Sequence, residues 1–283
     1  ESVQCKNAGI CPFRIPPFHS RQGVDTGAAD DIRRSVADCH IRWRDVPHRT
    51  VVADGMDQDN SSHIHCIMGR RSMENVQENQ KMNYKNIIFD LGGVLVGLDG
   101  RRSIDAFRKI GAHDIAFYVE DHRTEDLFFD TEVGNISQEE FCNEARRVSK
   151  CEASDKDIVW AWNQLLTSIP DYKKERLLHL HDRYRLFLLS NTNVMHWNLC
   201  VDDFFPYKAW GVDDYFEKTF LSYEMHLIKP SAEIFSEVLH QAGIRADETL
   251  FIDDSKENCD AAHRFGINTL HETTGDDWIN KVD

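Results

Sequence analysis

Six polar residues follow short apolar runs, and their chemistry depends on whether folding gathers them. Asp90 comes directly after Ile87-Ile88-Phe89, and Ser190 and Asn191 after Leu186-Phe187-Leu188-Leu189. Lys229 lies in the loop beyond Phe220-Leu221, and Asp253 and Asp254 follow Leu250-Phe251-Ile252. Three carboxylates, a hydroxyl, an amide and one ammonium are the ingredients of a small-ligand site. One carboxylate after a strand is weak evidence, whereas four segments of this kind in one chain are strong evidence.

The elements that must position them can be read from the same runs. Short continuous apolar runs suit strands buried on both faces, as in a parallel sheet covered by helices. Helical spacing over residues 232–242 stops at Gly243, and over 255–265 at Gly266, each glycine being a natural helix stop. The pattern predicts an α/β, doubly wound parallel sheet. Ligands of such sheets bind outside the carboxyl ends of the strands, where the four segments would converge. Between the first two strands the chain reads as helical: residues 101–110 end at Gly111, Ser137 with Glu140 forms a capping box, and residues 155–166 carry Ile158, Trp160, Trp162 and Leu165. This stretch is too long for one crossover helix. It predicts an inserted α-helical cap over residues 101–180 on a core of residues 82–100 and 181–283. Trp160, Trp162, Phe128 and Phe129 are read as cap core rather than substrate contacts. The segment 197–215, with Phe204, Phe205 and Trp210, could cover the site or pack on the sheet edge.

Composition bounds the partners. The chain has 283 residues, 41% of them hydrophobic, and a formal charge of −15. Residues 1–81 are neutral, so residues 82–283 carry the whole excess. That charge argues against nucleic acid or an anionic membrane as partner. No apolar run approaches the roughly 18–20 residues of a membrane span, and the first residues lack a secretory layout, so a cytoplasmic location is expected. Residues 1–81 show no sustained period and are expected to be disordered or a non-native extension, with Met82 as a natural start. Cys39, His40, His63, His65 and Cys66 fit no common metal-site spacing. The eight cysteines form no CxxC pair and are read as reduced thiols. The oligomeric state stays open.

Four ordered segments carry a family resemblance: Phe89-Asp90-Leu91-Gly92-Gly93-Val94-Leu95, Leu189-Ser190-Asn191-Thr192, Lys229-Pro230, and Phe251-Ile252-Asp253-Asp254-Ser255 with Asn258. Together they resemble the motifs of the haloacid dehalogenase superfamily, over residues 84–278. The Asp-Leu-Gly-Gly form of the first motif is close to that of small sugar-phosphate phosphatases. The resemblance implies a Rossmann-like core, with Asp90 as nucleophile forming an aspartyl-phosphate. Mg²⁺ would be held by the carboxylates of Asp90 and Asp254 and the backbone carbonyl of Gly92, an oxygen donor set that suits this ion. Ser190 and the N–H of Asn191 would bind phosphate oxygens, and Lys229 would neutralise charge on Asp90 and the substrate. Asp253 and Asn258 would orient the metal shell. The implied substrate is a small phosphorylated metabolite, sugar phosphates among the candidates.

One departure matters. Most phosphatases of the family have a second aspartate two residues after the nucleophile, as general acid and base. Here that position is Gly92, and such a loss costs roughly 10²–10⁴ in rate. Three readings follow. The first is a phosphatase in which another group activates water, with Asp99, His226 and Asp253 as candidates. The second is a dehalogenase-like hydrolase, disfavoured by the retained Asp253-Asp254 pair. The third is a binding protein with a degenerate site.

Overall fold

The computed structural model describes residues 84–120 and 126–283. The expectations for residues 1–81, including the cysteine and histidine cluster, lie outside the described residues. From the first strand, the elements run in chain order. They are β1 (Asn86–Phe89), α1 (Gly100–Lys109), α2 (His113–Glu120), α3 (Asp126–Glu132), α4 (Gln138–Ser149), α5 (Asp155–Asn163), α6 (Asp171–His181), β2 (Arg185–Ser190) and α7 (Val194–Leu199). A short π-helical turn at Cys200–Phe204 leads to α8 (Val212–Tyr215), β3 (Lys218–Leu221), α9 (Ser222–Met225), α10 (Ala232–Ala242), β4 (Thr249–Asp253), α11 (Lys256–Arg264), β5 (Asn268–His271) and α12 (Asp277–Lys281).

The five strands form one sheet in the order β3-β2-β1-β4-β5, every neighbouring pair parallel. Alternation along each strand splits its side chains between two apolar layers. Ile87 and Phe89 join Leu186, Leu188, Leu250 and Ile252 in a layer with Leu177 and Leu180 of α6 and Trp278 of α12. Ile88 joins Phe187, Leu189 and Phe251 on the other face, against Ile234, Phe235 and Val238 of α10 and Ala261 and Ala262 of α11. Helices cover both faces, which is the doubly wound arrangement expected.

Helices α1 to α5 build a separate apolar core from Phe107, Ile115, Phe141, Ile158 and Trp162. The Trp162 ring stacks on Phe128, at 5.0 Å, and on His196 of α7, at 4.9 Å. Trp160 is 40% exposed, with the Lys109 ammonium 5.2 Å from its ring centre. Two antiparallel segments tie this insertion to the sheet. Leu98 bridges Leu166, Asp99 N–H donates to Leu165 O at 2.8 Å, and Thr167 N–H donates to Gly97 O at 2.9 Å. The insertion was expected to reach residue 180, but α6 packs on the sheet through Leu177 and Leu180, so its apolar face assigns it to the sheet layer.

The segment 197–215 packs beside α6. Phe205 and Tyr215 are buried in the sheet layer, and the buried Lys174 ammonium donates to Phe204 O (3.1 Å) and Pro206 O (3.2 Å). Among the described residues no helix is long and apolar enough to cross a membrane.

Trp278 shows how much the last helix contributes. It is fully buried, edge-on to Phe89 at 5.0 Å. Trp278→Ala is expected to cost about 3–5 kcal/mol, as large aromatic truncations in cores do. Urea unfolding would measure this, and a loss below about 1 kcal/mol would mean that α12 is not part of the folded core.

Candidate active site

The sheet brings four loops to one end. Asp90 N–H continues the β1–β4 ladder by donating to Ile252 O at 2.9 Å, so the first carboxylate is fixed at the strand mouth. Lys229, 1% exposed, points its ammonium between two carboxylates: Asp90 Oδ1 at 2.8 Å and Asp253 Oδ2 at 2.7 Å. A third donation, to Leu189 O at 3.0 Å, uses the remaining N–H and ties Lys229 to the end of β2. The Asn191 side chain holds the Lys229 backbone at both ends, accepting from its N–H (2.9 Å) and donating to its carbonyl (3.0 Å). Ser190 is buried, and its hydroxyl makes a long 3.4 Å contact with Asn191 O.

Asp253 is fully buried and saturated. Besides Lys229 it accepts from Ser255 N–H (2.8 Å) and from the Asn258 amide (3.0 and 3.2 Å). Asp254, next in the chain, reaches solvent and leans over the Gly93 backbone. Gly93 has φ +70, and a Cβ there would collide with the Asp254 carboxylate. The positive φ and the close approach both call for glycine. His271 Nε2 lies 3.0 Å from the Asp254 carbonyl and helps fix its backbone. Asp90, Asp253 and Asp254 each offer an oxygen within 4.8 Å of the others.

Electrostatics follow from this crowding. Asp90 is raised to about 6, first by burial and then by Asp253, against the lowering effect of Lys229. Asp254 is raised to about 7, first by the desolvation imposed by surrounding protein and then by the charges of Asp90 and Asp253. Burial pulls Lys229 down, but Asp253 and Asp90 more than reverse this, so it stays an ammonium. The sign of the linkage is that of raised acids. Metal-free protein carries their full favourable contribution below the ordinary carboxylate range, about pH 4, and loses it as pH rises through 6 and 7.

The remaining candidates lie where their bonds hold them. Gly92 has its open side filled by Leu98, since a Cβ there would sit 3.3 Å from Leu98 Cδ1. Asp99 caps α1 by accepting from Arg101 N–H at 3.1 Å, and His226 Nδ1 lies 2.8 Å from Val133 O. Three further residues support the site without having stood out in the sequence. Lys173, buried in α6, donates to Val94 O at 2.7 Å and steadies the turn after Asp90. The buried Glu272 carboxylate gathers backbone N–H groups from Thr273, Thr274, Gly275, Asp277 and Trp278. Ser222 lies against Thr192. Their signals are bonds to backbone groups, which no spacing rule reveals.

Lys229→Met should destabilise the protein by about 3–5 kcal/mol at pH 8, because it strands two buried carboxylates. The loss should shrink toward pH 5 as Asp90, at about 6, takes up a proton. Denaturant titrations at both pH values test this. A small loss independent of pH would refute the picture of a lysine neutralising this cluster.

Comparison with known proteins agrees with this geometry. Residues 84–266 match the family model described as haloacid dehalogenase-like hydrolase. A D-ribitol-5-phosphate phosphatase of Bacteroides thetaiotaomicron is 32% identical over 200 residues, 70% of this chain and 96% of the relative. A haloacid dehalogenase family enzyme from the same organism, solved with magnesium and inorganic phosphate, is 44% identical with a TM-score of 0.68, over 71% of this chain and all of that one. A predicted haloacid dehalogenase-like hydrolase from Porphyromonas gingivalis is 36% identical with a TM-score of 0.64, over 70% and 95% of the two chains. From the four loops at the sheet's carboxyl end to these matches, the observations agree: the chain belongs to the haloacid dehalogenase-like hydrolases.

Proposed function

We propose that the protein is a Mg²⁺-dependent phosphatase that hydrolyses a small phosphorylated polyol or sugar through an aspartyl-phosphate on Asp90. The observation that carries this reading is the buried Lys229 ammonium bonded to both Asp90 and Asp253, with Asp254 beside them. Three carboxylates around one ammonium leave negative charge in excess, and Asp90 and Asp254 are raised first by burial and then by their neighbouring carboxylates. An all-oxygen donor set with excess negative charge fits a hard divalent cation. Asp90, Asp254 and the Gly92 carbonyl would hold it; Asp253 is already saturated by Lys229, Ser255 and Asn258. When bound, the ion neutralises charge and orients the phosphoryl group.

The chain's own residues would do the rest. An Asp90 carboxylate oxygen bonds to phosphorus as the ester P–O bond breaks and the alcohol departs. Water then attacks the same phosphorus, the P–O bond to Asp90 breaks, and inorganic phosphate leaves with the carboxylate restored. Lys229, beside Asp90, reduces repulsion between nucleophile and phosphate. Ser190 and the Asn191 N–H donate to the phosphate oxygens, and Asn258 and Ser255 keep Asp253 aligned on Lys229. With Leu98 against Gly92, the alcohol takes its proton from a group other than residue 92. The pentitol phosphate of the curated relative and the sugar phosphates suggested by the first motif define the substrate class.

Phosphate release from pentitol phosphates, sugar phosphates and p-nitrophenyl phosphate, with and without Mg²⁺, tests the proposal. Turnover should need the metal and fall by at least about 10³ in Asp90→Asn, which removes the covalent step. Metal-independent turnover, or full activity in that variant, would reject it. Mg²⁺ should also raise the melting temperature more at pH 8 than at pH 5.5, because protons on Asp90 and Asp254 compete with the ion below about 6 and about 7. An equal shift at both pH values would count against these two residues as ligands.

A further inference from the structure

The inserted helices touch the sheet domain close to the site at two places. Helix α5 meets α7, where Trp162 stacks on His196 and Trp162 O lies 3.2 Å from His196 Nε2, and one turn meets the segment that leads to Lys229. Residues 132–134, at the end of α3, rest on residues 222–228, the segment that begins with α9 and leads directly into Lys229. A Cβ at Gly134, with φ +72, would collide with the Tyr223 carbonyl, so the two backbones meet at a distance only glycine allows. Val133 packs with Ile228 and Phe129, and Val133 O meets His226 Nδ1 at 2.8 Å. Ser222, fully buried, stands at the centre of this seat.

The Ser222 hydroxyl has three backbone neighbours. It accepts from Thr192 N–H at 2.9 Å, and it lies 2.6 Å from Glu132 O and 3.0 Å from Thr192 O. A hydroxyl has a single proton, so it can donate to only one of these carbonyls at a time. The shorter contact assigns the proton to Glu132 while the turn is seated. With the turn lifted, Thr192 O is the acceptor within reach. Thr192 is the residue after Asn191, whose side chain clamps the Lys229 backbone. Thus one hydroxyl links the docked insertion to the loop carrying Ser190 and Asn191, and that loop is tied to Lys229.

We propose that Ser222 is a positioning residue: its hydroxyl couples seating of the 132–134 turn to the geometry of the loop after β2, so that the anion-binding groups are aligned when the insertion is docked. This rests on the phosphatase reading for its kinetic consequence, though not for the coupling itself. Ser222 touches no reacting atom and acts through the Thr192 and Glu132 backbones.

The test combines Ser222→Ala, Gly134→Ala and the double variant of the full chain. Three quantities are read: the inhibition constant of inorganic phosphate, kcat and KM for p-nitrophenyl phosphate, and hydrogen exchange at the Thr192 amide. Ser222→Ala should weaken phosphate inhibition and raise KM about tenfold, the loss of one neutral hydrogen bond, and should deprotect the Thr192 amide. Gly134→Ala should do the same in part from the far side of the contact. The double variant should be no worse than the worse single one, since both break one linkage. Multiplying effects would overturn the coupling, as would a lower melting temperature with phosphate inhibition and exchange unchanged. If Ser222→Ala does not fold, Gly134→Ala alone decides through exchange at Thr192, a residue it does not touch, and unchanged exchange there refutes the proposal. If the wild type releases no phosphate from any ester, the phosphatase reading fails, and the exchange comparison still decides the coupling.

Discussion

Lys229 is the group on which the site is built. Its ammonium is almost completely removed from water, and such a charge is costly unless every donor finds an acceptor of suitable charge. Asp90, Asp253 and the Leu189 carbonyl supply three acceptors, one each from the ends of β1, β4 and β2. The requirement reaches outward. Asp253 must itself be held, which Ser255 N–H and the Asn258 amide do from the start of α11. The Lys229 backbone must present the side chain at the right height, and Asn191 fixes it from β2. Register of the central strands, the first turn of α11 and the loop before α10 all serve one buried cation.

That arrangement solves stability and leaves reactivity over. Three carboxylates against one ammonium remain negatively charged, and the excess falls on the two that are not saturated. Asp253, surrounded by donors, is the structural member. Asp90 and Asp254, raised to about 6 and about 7 first by burial, are the members with acceptor capacity left over. Perturbed carboxylates clustered in a cleft are what catalytic and metal-binding sites require, since such groups need shifted pKa values. Here the division of labour follows from which oxygens are already occupied.

Much of this was legible before folding was considered. Central strands of a parallel sheet are buried on both faces, so β1, β2 and β4 appear as unbroken apolar runs, each ending at the residue that enters the site. The edge strand β5, Asn268–His271, is only partly buried and carries polar residues, so nothing marked it. The sequence of helix α6 alone does not say which core it faces; Leu177 and Leu180 do so only once the sheet exists. Gly92 was visible as a departure, but not Leu98 against it, since that contact depends on the Leu98–Leu166 bridge. Ser222 and Glu272 were silent because their bonds go to backbone groups, and backbone groups carry no sequence signal.

The Leu98 contact bears on how such a site can turn over. Leu98 belongs to one of the two segments joining the insertion to the sheet, and its side chain faces Gly92. An apolar group there cannot shuttle protons, and charge interactions are stronger in a site from which water is excluded than in solvent. In the proposed reaction the first step gains from that exclusion, while the second step needs one water to be admitted. The two steps therefore make opposite demands on the position of the insertion. A contact that seats the insertion and the loop after β2 together, as proposed for Ser222, serves the first demand. A hydroxyl with a second carbonyl within 3.0 Å can release the insertion without stranding its proton, and so does not oppose the second.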